Sequence, residues 1–331
     1  MTYNGEVIVV SNRNVNPKET STKLFGDELN AKGADELNVA LANKSGSSWK
    51  LKLITNPSTP AYKKPKSKDL FKEVLINTNK TIAASADGGK EANWVVFVHG
   101  FNQSLTKNLN KCEELKQYGA NTNVIAFSWP SNPGPQEWWK KTKEYKRARK
   151  NAQRSVMALN RFLEKMYEYA TEASSNDCKI NISLVVHSLG NFLLENFVRS
   201  SVYENECSIY QNIILHQADA DTEDHEDWVK KLTKDARVYV TINDKDAVLC
   251  ASDLVNKNRL GNSSDNCVLS NVKYFNFTKG AGVGISHRPW HDPGKAQVYV
   301  KEFYENVLTG RRGEHASGWE FSSAKNYYYP E

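Results

Sequence analysis

Runs of Val, Ile, Leu and Phe short enough for strands alternate along this chain with segments whose apolar residues recur every three or four positions. The strand pattern is expected near 6–12, 49–55, 93–98, 123–128, 180–186, 211–216, 236–242 and 271–277. Helical spacing is expected near 69–84, 104–118, 137–170, 189–203, 224–234, 247–256 and 295–308. Alternation of this kind specifies a mostly parallel sheet with helices on both faces, because a parallel crossover must pass over one face or the other. The expected fold is therefore α/β, with eight strands in one sheet. Residues 1–309 read as a single domain, with N-terminal strands within 5–60 and the catalytic core within 93–308. The polar stretch 310–331, with its scattered aromatics, reads as a tail that lies along the surface or is disordered.

The longest helical pattern, 137–170, divides into two faces. Tyr145, Ala148, Ala152, Val156, Leu159 and Leu163 fall on one side, and Lys140, Lys143, Lys146, Arg147, Lys150 and Arg154 on the other. The chain carries 44 Lys and Arg against 38 Asp and Glu, a net charge of +6. The basic side is read first as a solvated face, with an anionic membrane surface as the alternative partner. Nucleic acid is not favoured, since the aromatics Trp138 and Trp139 stand at one end of the charges and are not interleaved with them.

With 331 residues and 39% hydrophobic content, the chain can bury a large core. No apolar run reaches the ~18 residues of a membrane-spanning helix. The first residues show no basic, apolar and small-residue secretory pattern, so a cytoplasmic setting is expected. Five cysteines without a C-x-x-C pair argue against a disulfide framework. The cluster His216, Asp219, Asp221, Asp224 and His225 has metal-ligating residue types. It follows a strand as a loop into a helix, however, and is read as loop structuring and helix capping. No metal and no cofactor is expected.

Two strand ends carry candidate chemistry. The run ISLVVHSLGN, Ile182–Asn191, drives a strand straight into Ser188 and then a helix. That is the form of a nucleophile elbow, in which a strained turn exposes a serine hydroxyl above the sheet. Val186 occupies the position two before the serine where glycine is usual, and Gly190 the position two after it. The run WVVFVHGFNQ, Trp94–Gln103, also ends at a turn and is followed by an amphipathic helix. Acyl transfer develops negative charge on a carbonyl oxygen, which two backbone N–H groups hold, one after the nucleophile and one from an earlier loop. The candidate donors are Leu189 and Phe101, with His99 tying its loop down. Trp129, Trp138 and Trp139 are candidates for an apolar pocket beside the serine.

An acid and a histidine are expected to follow the serine in that order. The strand RVYVTI runs into NDKDAVL, which offers Asp246, just ahead of an apolar helix start, and Asp244 as the alternative. The later loop GVGISHRPWHDPG offers His287 first and His291 second as the base.

Taken in order and spacing, VVFVHGFN, VIAFSWPS, LVVHSLGN, IILHQADADTEDH and NDKDAVLCAS resemble the uncharacterised bacterial α/β-hydrolase family of serine-hydrolase-like (esterase or lipase-like) proteins. EVIVVSNRNVN and LFGDELN resemble that family's leading strand, arginine turn and Phe-Gly segment, so the similarity spans residues 5–308. The resemblance implies an α/β-hydrolase fold with Ser188, Asp246 and a late histidine as triad, and it implies no substrate. The expected function is a serine hydrolase that cleaves a carboxylic or lipid ester through an acyl-enzyme. The alternatives are an interaction module on the same fold with weak chemistry, or a protein whose basic helix binds anionic lipid or nucleic acid.

Overall fold

The computed structural model describes residues 6–54, 92–119, 122–131, 141–174, 180–254, 256–290 and 297–331. The described chain begins with β1 (Val7–Ser11), β2 (Arg13–Val15), β3 (Phe25–Leu29), β4 (Asn38–Ser45) and β5 (Ser48–Leu53). After these come β6 (Ala92–Val98), α1 (Leu105–Lys116), β7 (Thr122–Ser128), α2 (Lys141–Arg154) and α3 (Val156–Ser174). The second half supplies β8 (Ile180–His187), α4 (Gly190–Arg199), β9 (Asn212–His216), α5 (His225–Leu232), β10 (Arg237–Ile242) and α6 (Ala247–Asp253). It closes with β11 (Val272–Asn276), α7 (Val298–Leu308), β12 (Trp319–Ser322) and β13 (Tyr327–Pro330).

Among the described residues one sheet holds eleven strands in the order β12-β13-β11-β10-β9-β8-β6-β7-β1-β4-β5, and β2 pairs with β3 apart from it. The pairings from β1 through β7, β6, β8, β9 and β10 to β11, and on to β13, are all parallel. β4, β5 and β12 join antiparallel. This is a mostly parallel α/β sheet, wider than the eight strands expected.

Strand residues alternate between two cores because successive side chains point to opposite faces. Val96, Val98, Leu184 and Val186 pack with Leu159, Phe162, Leu193 and Trp228 on one face. Val95, Phe97 and Val185 pack with Leu109, Leu115, Phe303 and Val307 on the other. Both faces are covered, which is why these strands read as continuous apolar runs.

The helix expected over 69–84 lies outside the described residues. The one expected over 137–170 is described from residue 141, where it divides at Ser155. The Ser155 hydroxyl donates back to the Asn151 carbonyl at 2.8 Å and accepts from Asn12 Nδ2 at 2.9 Å, and such back-bonding bends helices. Ala148, Ala152, Leu159 and Leu163 are buried, whereas Lys143, Lys146, Arg147, Lys150 and Arg154 are exposed. Lys140 lies outside the described residues. The terminal stretch is neither a surface strap nor disordered: β13 pairs with β11, and Tyr328 stacks on Phe275 with ring centroids 4.7 Å apart.

The order of strands sets where a site can form. From β6 the chain crosses through α1 to β7 on one side, whereas β8 lies on β6's other side. At such a switch point the crossover connections diverge and leave a crevice at the carboxyl ends of the strands.

Candidate active site

Val98 of β6 is in register with Val186 of β8, and His187 with His216 of β9. The turns that leave these three strands therefore emerge side by side. Ser188 sits at the β8 exit with φ of 55°. Left-handed backbone costs a residue with a Cβ roughly 1–2 kcal/mol and persists only where the surroundings impose it. Here the Ser188 amide donates to the His216 carbonyl at 3.0 Å, and the Ser188 carbonyl accepts from the amides of Asn191 at 2.9 Å and Asp219 at 3.1 Å. Asn191 Nδ2 adds a third bond to the same carbonyl at 3.1 Å. In a trans peptide N–H and C=O point opposite ways. Pinning the Ser188 carbonyl therefore fixes the direction of the Leu189 N–H, at the start of α4, where helix amides have no partner within the helix.

Gly190 lies where α4 passes over β6. A Cβ there would stand 2.8 Å from the His99 carbonyl oxygen and 2.9 Å from that of Val98. Val186 fits in place of the usual glycine because its side chain is fully buried in the core, while its carbonyl accepts from Asn191 Nδ2 at 2.8 Å.

The β6 exit is held by a cluster around His99. The Trp129 amide hydrogen-bonds to His99 Nε2 at 3.2 Å, which makes that nitrogen the acceptor and Nδ1 the donor. Nδ1 reaches the Gly100 carbonyl at 2.9 Å, and Ser131 Oγ donates to the same carbonyl at 2.7 Å. With the carbonyl drawn to that side, the Phe101 N–H of the same peptide points the other way. Arg13, fully buried, donates to the Gln103 carbonyl at 2.7 Å and to the Gly26 carbonyl at 3.2 Å, and its guanidinium stands 3.4 Å from His99 Nε2. Burial and the adjacent Arg13 charge hold His99 well below the usual imidazole range, so it is a neutral structural ring. Gly100 is required here because a Cβ would lie 2.6 Å from Ser188 Cβ.

Asp246 and His287 meet at the next two strand ends. Asp246 caps α6, its Oδ1 accepting from the Val248 amide at 2.9 Å and the Leu249 amide at 3.1 Å. Its Oδ2 is 2.6 Å from His287 Nδ1. The loop that carries His287 is fixed by Asn243 Nδ2, which donates to the carbonyls of Gly284 at 3.0 Å and Ser286 at 2.9 Å. Asp244 turns elsewhere and accepts from the Ser264 amide at 3.1 Å, Ser264 Oγ at 3.0 Å and Asn276 Nδ2 at 3.3 Å. The structure thus places Asp246, and not Asp244, against His287. His291, Trp138 and Trp139 lie outside the described residues.

Ser188 and His287 line one cavity of about 740 Å³. The His287 ring lies 4.8 Å from that of His187, the residue before the serine. No hydrogen bond joins Ser188 Oγ to the ring among the described residues; a base commonly closes on its nucleophile only with substrate bound. Phe101 faces the same cavity and packs edge to face on Tyr145, with centroids 5.5 Å apart. Trp129 does not line it: the side chain is fully buried, stacks on His99 at 5.4 Å and donates Nε1–H to the His99 carbonyl at 2.8 Å. Its indole supports the His99 loop from behind and is not an acyl-side wall.

Among the described residues no group of three His, Cys, Asp or Glu is arranged to hold a metal. Within the acidic loop, His216 pairs with Tyr304 Oη at 2.8 Å and His225 with Tyr274 Oη at 2.8 Å. Asp219 accepts from Ser252 Oγ at 2.8 Å, and Asp221 pairs with Arg259. Sequence reasoning passed over Lys111, Glu114 and Arg288, which also line the cavity. Lys107, Lys111 and Glu114 recur at helical spacing on α1, a polar stripe that reads as solvent-facing until the neighbouring loop is in place.

No curated protein and no solved structure matches the chain significantly. A family model described as an alpha/beta hydrolase of unknown function (DUF900) matches residues 77–277, well over half of the chain, a span that includes Ser188 and Asp246 and stops short of His287. The parallel sheet with both faces covered agrees with that description, and the chain belongs to this alpha/beta hydrolase family of unknown function.

Proposed function

We propose that the protein is a serine hydrolase that cleaves a carboxylic or lipid ester through an acyl-enzyme. The observation that carries this reading is the His287–Asp246 contact of 2.6 Å opening onto the same cavity as Ser188, which is held in left-handed backbone at a strand exit. His287 Nε2 takes the Ser188 proton as Oγ bonds to the ester carbonyl carbon. Asp246 holds Nδ1–H, which keeps the ring in the tautomer that accepts at Nε2 and stabilises the imidazolium once formed.

The carbonyl oxygen, now negative, takes hydrogen bonds from the Phe101 and Leu189 amides. Both directions are supported by the pinned partner carbonyls of Gly100 and Ser188. Collapse breaks the ester bond, and the alcohol leaves with the proton from His287. Water then repeats the sequence on the acyl-enzyme, returning the acid and free Ser188. Turnover of 4-nitrophenyl esters tests the proposal. Ser188→Ala is expected to abolish it with the unfolding midpoint little changed, and undiminished turnover in that variant overturns the reading.

A further inference from the structure

We propose that the substrate carries an anionic group, a carboxylate or a phosphate, which is held by Lys111 in the cavity beside Ser188. The inference rests on the hydrolase reading for the meaning of "substrate", while the site itself stands on geometry. Lys111 projects from α1 and lines the cavity, although only 6% of the residue is exposed. Among the described residues no acceptor lies within bonding reach of its ammonium. The stem is thus packed away while the ammonium opens to the cavity, and a charge set in so largely buried a wall favours an anionic partner there.

The carboxylate that shares this cavity wall makes its hydrogen bonds elsewhere. Glu114 accepts from Arg288 Nη1 at 2.9 and 3.2 Å and from Trp290 Nε1 at 3.2 Å. Glu114 thus spends its hydrogen bonds on Arg288 and Trp290, and this one carboxylate is shared by two cations, Arg288 and Lys111. Lys107, one helical turn earlier, adds a second positive charge at the rim. Burial and the adjacent Arg288 bring the Lys111 amine down to about 7. A bound anion would supply a second negative charge on this wall and favour the ammonium form of Lys111. The same positive charge contributes, after burial, to holding His187 low, which places its influence next to Ser188.

A lysine that is merely structural and a lysine that binds an anion respond differently. The kcat/KM of neutral 4-nitrophenyl butyrate and of anionic 4-nitrophenyl hydrogen glutarate would be measured for wild type, Lys111→Met and Lys111→Arg. In parallel, glutarate and inorganic phosphate would be titrated by calorimetry into wild type and Lys111→Met, which distinguishes a carboxylate from a phosphate source. The expected result is that Lys111→Met lowers the anionic-to-neutral ratio at least ~10-fold, the loss of one charge-assisted hydrogen bond, whereas Lys111→Arg retains most of it. Binding of one of the two free anions disappears in Lys111→Met. Turnover of both esters with an unchanged ratio, and no anion binding that depends on Lys111, overturns the anion site and leaves the hydrolase reading standing. Lys111-dependent anion binding without any ester turnover supports the site and counts against the esterase. Should Lys111→Met fail to fold, an unchanged ratio and unchanged anion binding in Lys111→Gln overturn the site equally well.

Discussion

His99 Nδ1 holds the carbonyl of Gly100 at 2.9 Å, and through the planar peptide it sets the direction of the next amide, that of Phe101. The loop is thereby organised before any substrate arrives, with Ser131, Trp129 and Arg13 closing the cluster behind it.

Removing that hold should therefore damage catalysis more than binding. His99→Ala is expected to lower kcat by ~10²–10³, the cost of one lost oxyanion donor, with KM changed only a few-fold. Gly100→Ala should be inactive, since its Cβ would press on that of Ser188 at 2.6 Å. Steady-state kinetics on both variants check this, and a His99→Ala enzyme with unchanged kcat would remove the Phe101 amide from the mechanism.

The two acidic candidates separate on their contacts. Asp246→Asn is expected to lower kcat by about 10⁴, because an amide cannot keep the His287 tautomer or stabilise its cation. Asp244→Asn should mainly cost stability, about 1–3 kcal/mol, because it unpairs Ser264 and Asn276. Paired measurements of kcat and denaturation midpoint distinguish them, and the opposite ranking would move the acid to Asp244.

Acid should unfold the protein in a window set by its buried histidines. Burial is the largest cause holding His99, His187 and His216 well below the usual imidazole range. Each is neutral when folded, whereas in the unfolded chain each takes a proton below about pH 6.5. The unfolded state then binds more protons, so stability is complete above pH 6.5 and is lost as the pH falls below it. The slope per group approaches ~1.4 kcal/mol per pH unit, or ~4 for the three together. Denaturant midpoints at pH 8, 6 and 5 read this directly; His216→Gln should reduce the slope by about a third, and a flat profile would contradict it.

What could be read from the sequence was local. The eight expected strands and the Ser188 turn were legible because strand length, β-branching and a serine at a strand exit are properties of a few consecutive residues. β2, β3, β4, β12 and β13 were missed: β4 runs from buried Asn38–Ala42 into exposed Asn43–Ser45 with no sustained apolar run, the other four are three to five residues long, and Trp319–Ser322 and Tyr327–Pro330 look like polar tail until Phe275 is found packing against Tyr328 and Trp319. Trp129 stands as a candidate for the cavity as well as for the core because sequence shows an aromatic near a loop but not which side of the loop it supports. Lys111 escaped notice for the converse reason: a polar helix stripe has the same spacing whether it borders bulk water or an enclosed cavity. The preference for Asp246 over Asp244 was legible in the apolar helix start that follows it, whereas its contact with His287 depends on packing, through the α6 cap and the His287 loop.

The histidine role divides between a residue in place and one outside the described chain. His287→Ala should lose nearly all ester turnover, since His287 holds the contact with Asp246, while His291→Ala should keep most of it. Initial rates on the two variants decide the matter, and equal loss in both would make one of them a support for the loop.

The central claim is that Ser188 is an activated nucleophile, and a fluorophosphonate probe tests it most directly, because only a serine with a positioned base reacts quickly. The wild-type protein is expected to take up one equivalent, located by peptide mass at Ser188, with no labelling of Ser188→Ala and labelling slowed by at least ~10²-fold in His287→Ala. A protein that stays unlabelled, or that is labelled equally well without Ser188, would contradict the account.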